Sequence, residues 1–252
     1  MKSVHDLTYA QYHDKAQNYL NSQVHAKGDE FAKMTDVLTA HKYHHALDLG
    51  TGGGHVSYHI APYVDKVVCY DVVDDMVALV LSECQSRQLN NVAGVVGKAE
   101  HLPFDDNTFD FIISRYSAHH WQDVQQALYE MRRVLTQDGK VIIVDILGHA
   151  NPVINNFLQT IETIRDPSHV RNYHLSEWAF MSQTAGFSID TVQKQRLPLD
   201  FDSWTARMNT PKSSVQTIRH LQSLAPDVVR RHYELSADGS FCSDVIYMAL
   251  SK

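Results

Sequence analysis

Asp48-Leu49-Gly50-Thr51-Gly52-Gly53-Gly54-His55 ends one short apolar run, begun at His45, and opens an amphipathic one. A strand that runs into clustered glycines and then a helix leaves backbone N–H groups uncovered, so a ligand can approach them closely. The spacing separates two ligand classes. A dinucleotide loop needs glycine at its first, third and sixth positions. Counted from Gly50 the sixth position is His55, and counted from Gly52 it is Ser57. The pattern that fits is D-x-G-x-G-x-G, carried by Asp48, Gly50, Gly52 and Gly54.

Around this loop, apolar β-rich runs at 45–50, 67–72, 93–97, 109–116 and 140–147 alternate with amphipathic stretches. The latter predict helices over about 53–62, 75–89 and 122–135. In the last, Val124, Leu128, Met131 and Leu135 share one face, and Asp138-Gly139 supplies the turn that ends it. Near-continuous apolar strands alternating with helices predict an α/β, doubly wound, mostly parallel sheet covered on both faces. Beyond 150 the pattern predicts helices near 152–164 and 176–185, a strand over 188–200, a polar helical segment over about 202–236 and a closing strand over 243–251. No Pro/Gly/Ser linker interrupts the chain. The expectation is one domain over 1–252, with leading helices in 1–44, a core in 45–150 and segments completing the same sheet in 151–252.

Composition sets outer bounds. The chain has 252 residues, 44% hydrophobic and 20% charged, the profile of a globular protein. A net charge of −7 disfavours a large nucleic-acid footprint and tight binding to anionic lipid. The amino terminus lacks the apolar core of a secretory signal, and no apolar run approaches the ~20 residues that span a bilayer. Three widely spaced cysteines fit a reduced, cytoplasmic protein. The sixteen histidines are the unusual entry, because their protonation reverses the sign of the charge.

The glycine loop resembles the first motif of class I S-adenosylmethionine-dependent methyltransferases. Asp71 ends the second apolar run, 21 positions after Gly50, where a carboxylate accepts both hydroxyls of a ribose; Asp74 is the natural cap for the helix that follows. Gly97-Lys98-Ala99-Glu100-His101-Leu102-Pro103-Phe104 and Asn107-Thr108-Phe109-Asp110 resemble the adenine-side loop of the small-molecule branch, which includes ubiquinone and menaquinone biosynthesis enzymes. Many relatives carry Asp where this chain has Lys98, so the adenine contacts are assigned to Ala99 and Glu100. Ser114-Arg115-Tyr116-Ser117-Ala118-His119-His120-Trp121 resembles the segment beside the methionine moiety. Tyr12-His13-Asp14-Lys15-Ala16, with Tyr19, Ser22 and His25, is similar to leading helices that fold over the cofactor.

Several expectations follow from the resemblance. The sheet has seven strands, the last antiparallel, with a helical insertion before it. S-adenosylmethionine is held by Tyr19, Asp48, Gly50, Thr51, Gly52, Gly54, Asp71, Val72, Met76, Ala99, Glu100 and Arg115, with His25 a further contact. The reaction is in-line methyl transfer to a small molecule, releasing S-adenosylhomocysteine. Two alternatives stay open: a catalytically inactive cofactor-binding regulator, and a C-methyltransferase of quinone precursors.

In-line displacement needs the nucleophile about 3–3.5 Å from the methyl, and acidic nucleophiles need a base. His119 and His120 are the candidates for that base. Pro167 predicts a helix end near Asp166, which leaves a loop after it. Arg165, Asp166, His169 and Arg171 there, with Arg207, are the candidate substrate-binding residues. Trp204 and Met208 share a helix face that reads as packing. His55 and His59, and the cluster His41, His44 and His45, invite a metal reading. No C-x-x-C or H-E-x-x-H accompanies them, so no metal is expected. Activity should instead depend on pH between roughly 5.5 and 7.5 through a few imidazoles. The absence of an Asn/Asp-Pro-Pro-aromatic motif after the fourth apolar run argues against methylation of base amino groups.

Overall fold

The apolar runs pair into one sheet in the computed structural model, which describes residues 3–20, 22 and 26–252. Its strands are β1 (His45–Leu49), β2 (Lys66–Asp71), β3 (Val92–Val96), β4 (Phe109–Arg115), β5 (Leu135–Ile146), β6 (Ser188–Leu199) and β7 (Phe241–Ser251). They lie in the order β3-β2-β1-β4-β5-β7-β6. β1 to β5 pair in parallel, whereas β7 runs antiparallel to both β5 and β6.

Side chains alternate strictly between the two faces. Ala46, Val67, Ile113, Ile142, Val144, Val245 and Tyr247 face one core. Leu47, Val68, Ile112, Val141, Ile143, Ile246 and Met248 face the other. Burial on both sides is why these runs read as continuously apolar. Each fully buried Ile or Val contributes about 1.5–3 kcal/mol.

The first core is covered by α3 (Asp29–Ala40), α4 (His55–Ile60), α7 (Pro152–Arg165), α9 (Phe201–Arg207), α10 (Lys212–Ser223) and α11 (Asp227–Tyr233). The second is covered by α6 (Val124–Val134) and α8 (Leu175–Thr184). α5 (Asp74–Ser86) packs Val77, Val80 and Cys84 against Cys69 and Tyr58. Two short leading helices, α1 (Val4–Tyr12) and α2 (Ala16–Leu20), lie at the carboxyl end of the sheet, where Tyr19 meets Val73, Met76 and Met208. Local signals start these helices where the sequence places them. Asp123 accepts from the Gln126 N–H to cap α6, and Asn151 accepts from the Val153 N–H, with Pro152 in the first turn of α7.

Three local readings are corrected. α6 stops at Val134, and Asp138-Gly139 falls inside β5; Phe109 faces Leu135 while Phe111 faces Lys140, so the extra residues of β5 bulge out between those pairs. The polar segment 202–236 is three helices, because Pro211 and Pro226 each force the preceding residue out of helical conformation. Val73, not Asp74, occupies the N-cap of α5, and its N–H is taken by Asp71. Among the described residues no helix is long and apolar enough to cross a membrane.

Candidate active site

β1 and β4 are adjacent, but the strands that follow them lie on opposite sides. That switch opens a crevice beyond their carboxyl ends. Two segments enter it: the glycine loop after β1 and residues 116–121 after β4.

Their contact is tight. Gly50 has φ +80°, and a Cβ there would sit 1.9 Å from Ser117 Oγ. One at Gly53 would lie 2.7 Å from the Tyr19 carbonyl carbon, so the end of α2 rests directly on the loop. His55 Nε2 ties the same place by donating to the Tyr19 carbonyl at 3.0 Å.

Asp48 braces the loop from beneath. Its Oδ2 accepts from Thr51 Oγ1 at 2.7 Å, Ser57 Oγ at 2.6 Å and the Ser57 N–H at 3.0 Å. Burial pushes its carboxyl up to about 6, against the pull of those donors. A carboxyl that binds its proton more tightly when folded stabilises the fold below about pH 4 and loses that contribution as pH rises to about 6. Asp48→Asn keeps an oxygen for all three donors and removes the titration. The variant should gain on wild type by on the order of 2–3 kcal/mol between pH 4 and 7, read by chemical denaturation. A constant difference across that range would refute this account of Asp48.

Asp71 ends β2 at the crevice. Its Oδ2 accepts from the Gly52 N–H at 2.9 Å and its Oδ1 from the Val73 N–H at 3.0 Å. These segments enclose a cleft of about 930 Å³. Tyr19, Asp48, Gly50, Thr51, Gly52, Asp71, Val72, Met76, Ala99, Glu100 and Arg115 line it. Gly54 stands back from the wall, at the N-cap of α4. His25 lies outside the described residues.

Two of the lining residues do something other than the sequence suggests. Glu100 was expected to present its carboxylate to adenine, but Oε1 accepts from the Gln122 and Asp123 N–H groups and Oε2 faces His5 Nε2 at 3.0 Å. Arg115 spends its guanidinium on Glu30 at 2.7 Å, between the rings of Phe31 and Tyr116.

A second cavity of about 490 Å³ adjoins the first, and Tyr12, Tyr19 and Tyr116 line both. His119, Glu162, Arg165 and Arg207 supply its polar wall; Ile146, Leu197, Leu199 and Trp204 supply the apolar one. Trp204 therefore serves the core and the cavity together.

The two adjacent histidines differ. His119 Nδ1 lies 2.5 Å from Asp145 Oδ1, while its Nε2 makes no hydrogen bond among the described residues. Burial opposes a charge on His119, but Asp145, Glu162 and Asp166 outweigh it and hold the imidazole above its ordinary range. His120 Nε2 is 2.8 Å from Tyr12 Oη, which donates to Asp166 Oδ2 at 3.0 Å, and His120 Nδ1 lies 3.2 Å from the Ser168 carbonyl. Burial and the charge of His119 push His120 well down, and with both ring nitrogens facing partners it knits α1 to the 166–168 turn. It is not available as the base expected of it.

His169 is buried against Gln159 Oε1 at 2.9 Å, and burial with His119 lowers it to about 3. Of the described imidazoles expected to titrate here, His119 is held above its ordinary range and His120 and His169 below theirs. Asp166 is buried, lines neither cavity and accepts from Ser168 and Tyr12. Arg171 lines neither cavity; it is half-exposed and paired with Glu177 at 2.6 Å. The remaining imidazoles that invited a metal reading face separate partners: His59 the Phe31 carbonyl, His44 Asp65, and His45 the Thr108 carbonyl. Among the described residues, three metal-type donors converge at His13, Asp14 and Asp75, a solvent-open group in which His13 already pairs with Asp75 at 2.7 Å.

The sequence put Tyr12 and Tyr116 on cofactor-side segments without giving either a role, and it missed Asp145 altogether. Tyr116 has φ +52°, which no motif predicts for an aromatic residue. Asp145 carried a readable signal: an acid near the carboxyl end of an apolar strand beside the crevice.

Comparison with known proteins agrees with this geometry. The model of the methyltransferase domain family matches residues 47–143. The uncharacterized protein YafE of Escherichia coli is 43% identical over 81% of this chain and 98% of its own. The uncharacterized methyltransferase YcgJ of Bacillus subtilis is 37% identical over 92% of this chain and 93% of its own. The YcgJ crystal structure covers 88% of this chain and 97% of its own, with a TM-score of 0.84 and 36% identity. A putative methyltransferase structure from Bacillus halodurans covers 89% and 99%, with a TM-score of 0.85 and 29% identity.

Proposed function

Because the chain belongs to the class I S-adenosylmethionine-dependent methyltransferases, we propose that it methylates a small molecule held in the second cavity. The cofactor would occupy the 930 Å³ cleft. The fit is supported by the cleft itself: a Cβ at Gly52 would meet nothing within 4 Å, Asp71 offers a carboxylate to hydroxyls, and Val72, Met76 and Ala99 offer an apolar wall. S-adenosylmethionine supplies an electrophilic methyl on a sulfonium when bound. The protein orients, excludes water and handles a proton.

The observation that carries the reading is the shared boundary of the two cavities at Tyr12, Tyr19 and Tyr116, with His119 on the acceptor side. Asp145 accepts a hydrogen bond from His119 Nδ1–H, which fixes the ring, and in the neutral form of the imidazole Nε2 would accept a proton from the acceptor. Tyr12, held by His120 and Asp166, closes the cleft from α1. The open second cavity favours an enzyme over a regulator that only binds cofactor. We read the chain as a single domain in which 1–44 cover the cofactor and 151–252 shape the acceptor site. The three free cysteines suit a reducing, cytoplasmic setting.

The test combines calorimetry with S-adenosylmethionine and S-adenosylhomocysteine and a transfer assay using methyl-labelled cofactor on fractionated small metabolites. Binding of both forms and label in a small-molecule fraction are expected. Absence of binding, or label entering only RNA or protein, would overturn the reading.

A further inference from the structure

Arg165 and Arg207 both line the second cavity, and neither has a carboxylate within 4.0 Å among the described residues. Residues 1–2, 21 and 23–25, outside the description, include no acid. Arg165 is buried; its Nε donates to the Trp204 carbonyl at 2.8 Å and its guanidinium lies 4.7 Å from that indole ring. Arg207 Nη1 donates to Ser22 Oγ at 3.2 Å, and its Nε is buried without a hydrogen-bond partner. Burial and the Arg165 charge both hold Arg207 below the usual guanidinium range, as expected of two cations sharing one enclosure.

Glu162, the one carboxylate lining the cavity, and Asp166 act on Arg165 through space, but neither forms a direct ion pair with it. Glu162 accepts from the Asn172 amide, and burial raises its carboxyl. The contrast with Arg115 is direct, since the other buried arginine among the described residues is paired with a buried glutamate at 2.7 Å. Enclosed guanidinium groups left without a direct ion pair are costly, and their fork geometry matches a carboxylate.

We infer that the methyl acceptor is a small carboxylate with a planar apolar body, its anionic end held by Arg165 and Arg207 and its body against Trp204 and Leu199. This deepens the reading of the second cavity as the acceptor site and rests on it. The two guanidinium groups that line the cavity supply the donors that point to a ligand, and the aromatic and aliphatic walls set the character of the rest. Arg165 and Arg207 are thereby specificity-determining residues.

Benzoate, benzamide and phenyl phosphate are suitable probes, titrated by calorimetry into the full chain saturated with S-adenosylhomocysteine. Benzoate should bind at least ~10-fold more tightly than benzamide, and Arg207→Gln should weaken benzoate by about 10–100-fold, or ~1.4–2.7 kcal/mol. The same variant should weaken benzamide far less than benzoate and leave S-adenosylhomocysteine unchanged. Arg165→Lys, which keeps the charge but not the fork, should give a smaller loss of benzoate. Equal binding of benzoate and benzamide would overturn the inference, as would tighter binding of phenyl phosphate or a parallel loss of benzoate and S-adenosylhomocysteine in Arg207→Gln. Failure of S-adenosylhomocysteine to bind wild type would instead overturn the methyltransferase reading itself.

Discussion

Asp71→Ala should lower the affinity for S-adenosylhomocysteine by about 100-fold or more in calorimetry. Each carboxylate oxygen of Asp71 already accepts one backbone N–H, from Gly52 and Val73, each keeps a further lone pair, and the residue lines the cleft. Hydrogen bonds to a charged group contribute about 1.5–3 kcal/mol each, so loss of two to a ligand's hydroxyls accounts for the expected effect. The truncation also leaves two backbone donors without their acceptors, which should lower unfolding free energy by about 2 kcal/mol or more. Asp71→Asn, retaining one acceptor oxygen, should fall between. Burial raises the Asp71 carboxyl while the backbone donors oppose it, so affinity should decline toward acid pH earlier than an ordinary aspartate would dictate. Unchanged affinity in Asp71→Ala at neutral pH would remove the residue from the binding site.

Gly50→Ala should be the most damaging single-methyl change in the loop. The residue has φ +80°, a region that costs a side chain roughly 1–2 kcal/mol. The new carbon would also lie 1.9 Å from Ser117 Oγ and 2.5 Å from Ser117 Cβ, pushing aside a hydroxyl that accepts from Trp121 Nε1 at 3.1 Å. Unfolding free energy should drop by about 3–5 kcal/mol in total, among the larger single-substitution effects. Adding Ser117→Gly removes the colliding atoms and should recover the steric part, leaving roughly the 1–2 kcal/mol backbone cost. If the double variant is no more stable than Gly50→Ala, the collision is not the cause.

Much of this was legible before any coordinates. The D-x-G-x-G-x-G loop, Asp71 at its distance from Gly50 and the alternation of apolar runs are local features, and each acts over a strand, a turn and a helix. The central strands formed where apolar runs stood because both their faces are buried, so most of their residues had to be apolar. The misreadings cluster where a local signal met a competing one. Asp138-Gly139 looks like a helix stop, yet Val134 already ends α6 because Leu135 is drawn into pairing with Phe109. Asp74 looks like a cap, yet Asp71 three residues earlier takes the Val73 N–H.

The side-chain chemistry followed a different rule. His119 and His120 are neighbours with the same intrinsic chemistry, and nothing local separates them. Asp145 from β5 gives one a carboxylate partner; Tyr12 from α1 and Ser168 from the turn after α7 occupy the other. Arg165, Arg171 and Arg207 were equivalent candidates in the sequence, and folding put two in the second cavity and the third against Glu177.

The sequence by itself therefore determined the order of elements, the glycine loop and the family, because these depend on spacings of a few residues and on a burial pattern of period two. The tertiary structure alone decided which imidazole keeps a free nitrogen and which arginines lack a direct ion pair. Those properties belong to pairs of groups 26 to 154 residues apart, such as His119 with Asp145 and Tyr12 with Asp166, and charge and hydrogen bonding act through space rather than along the chain.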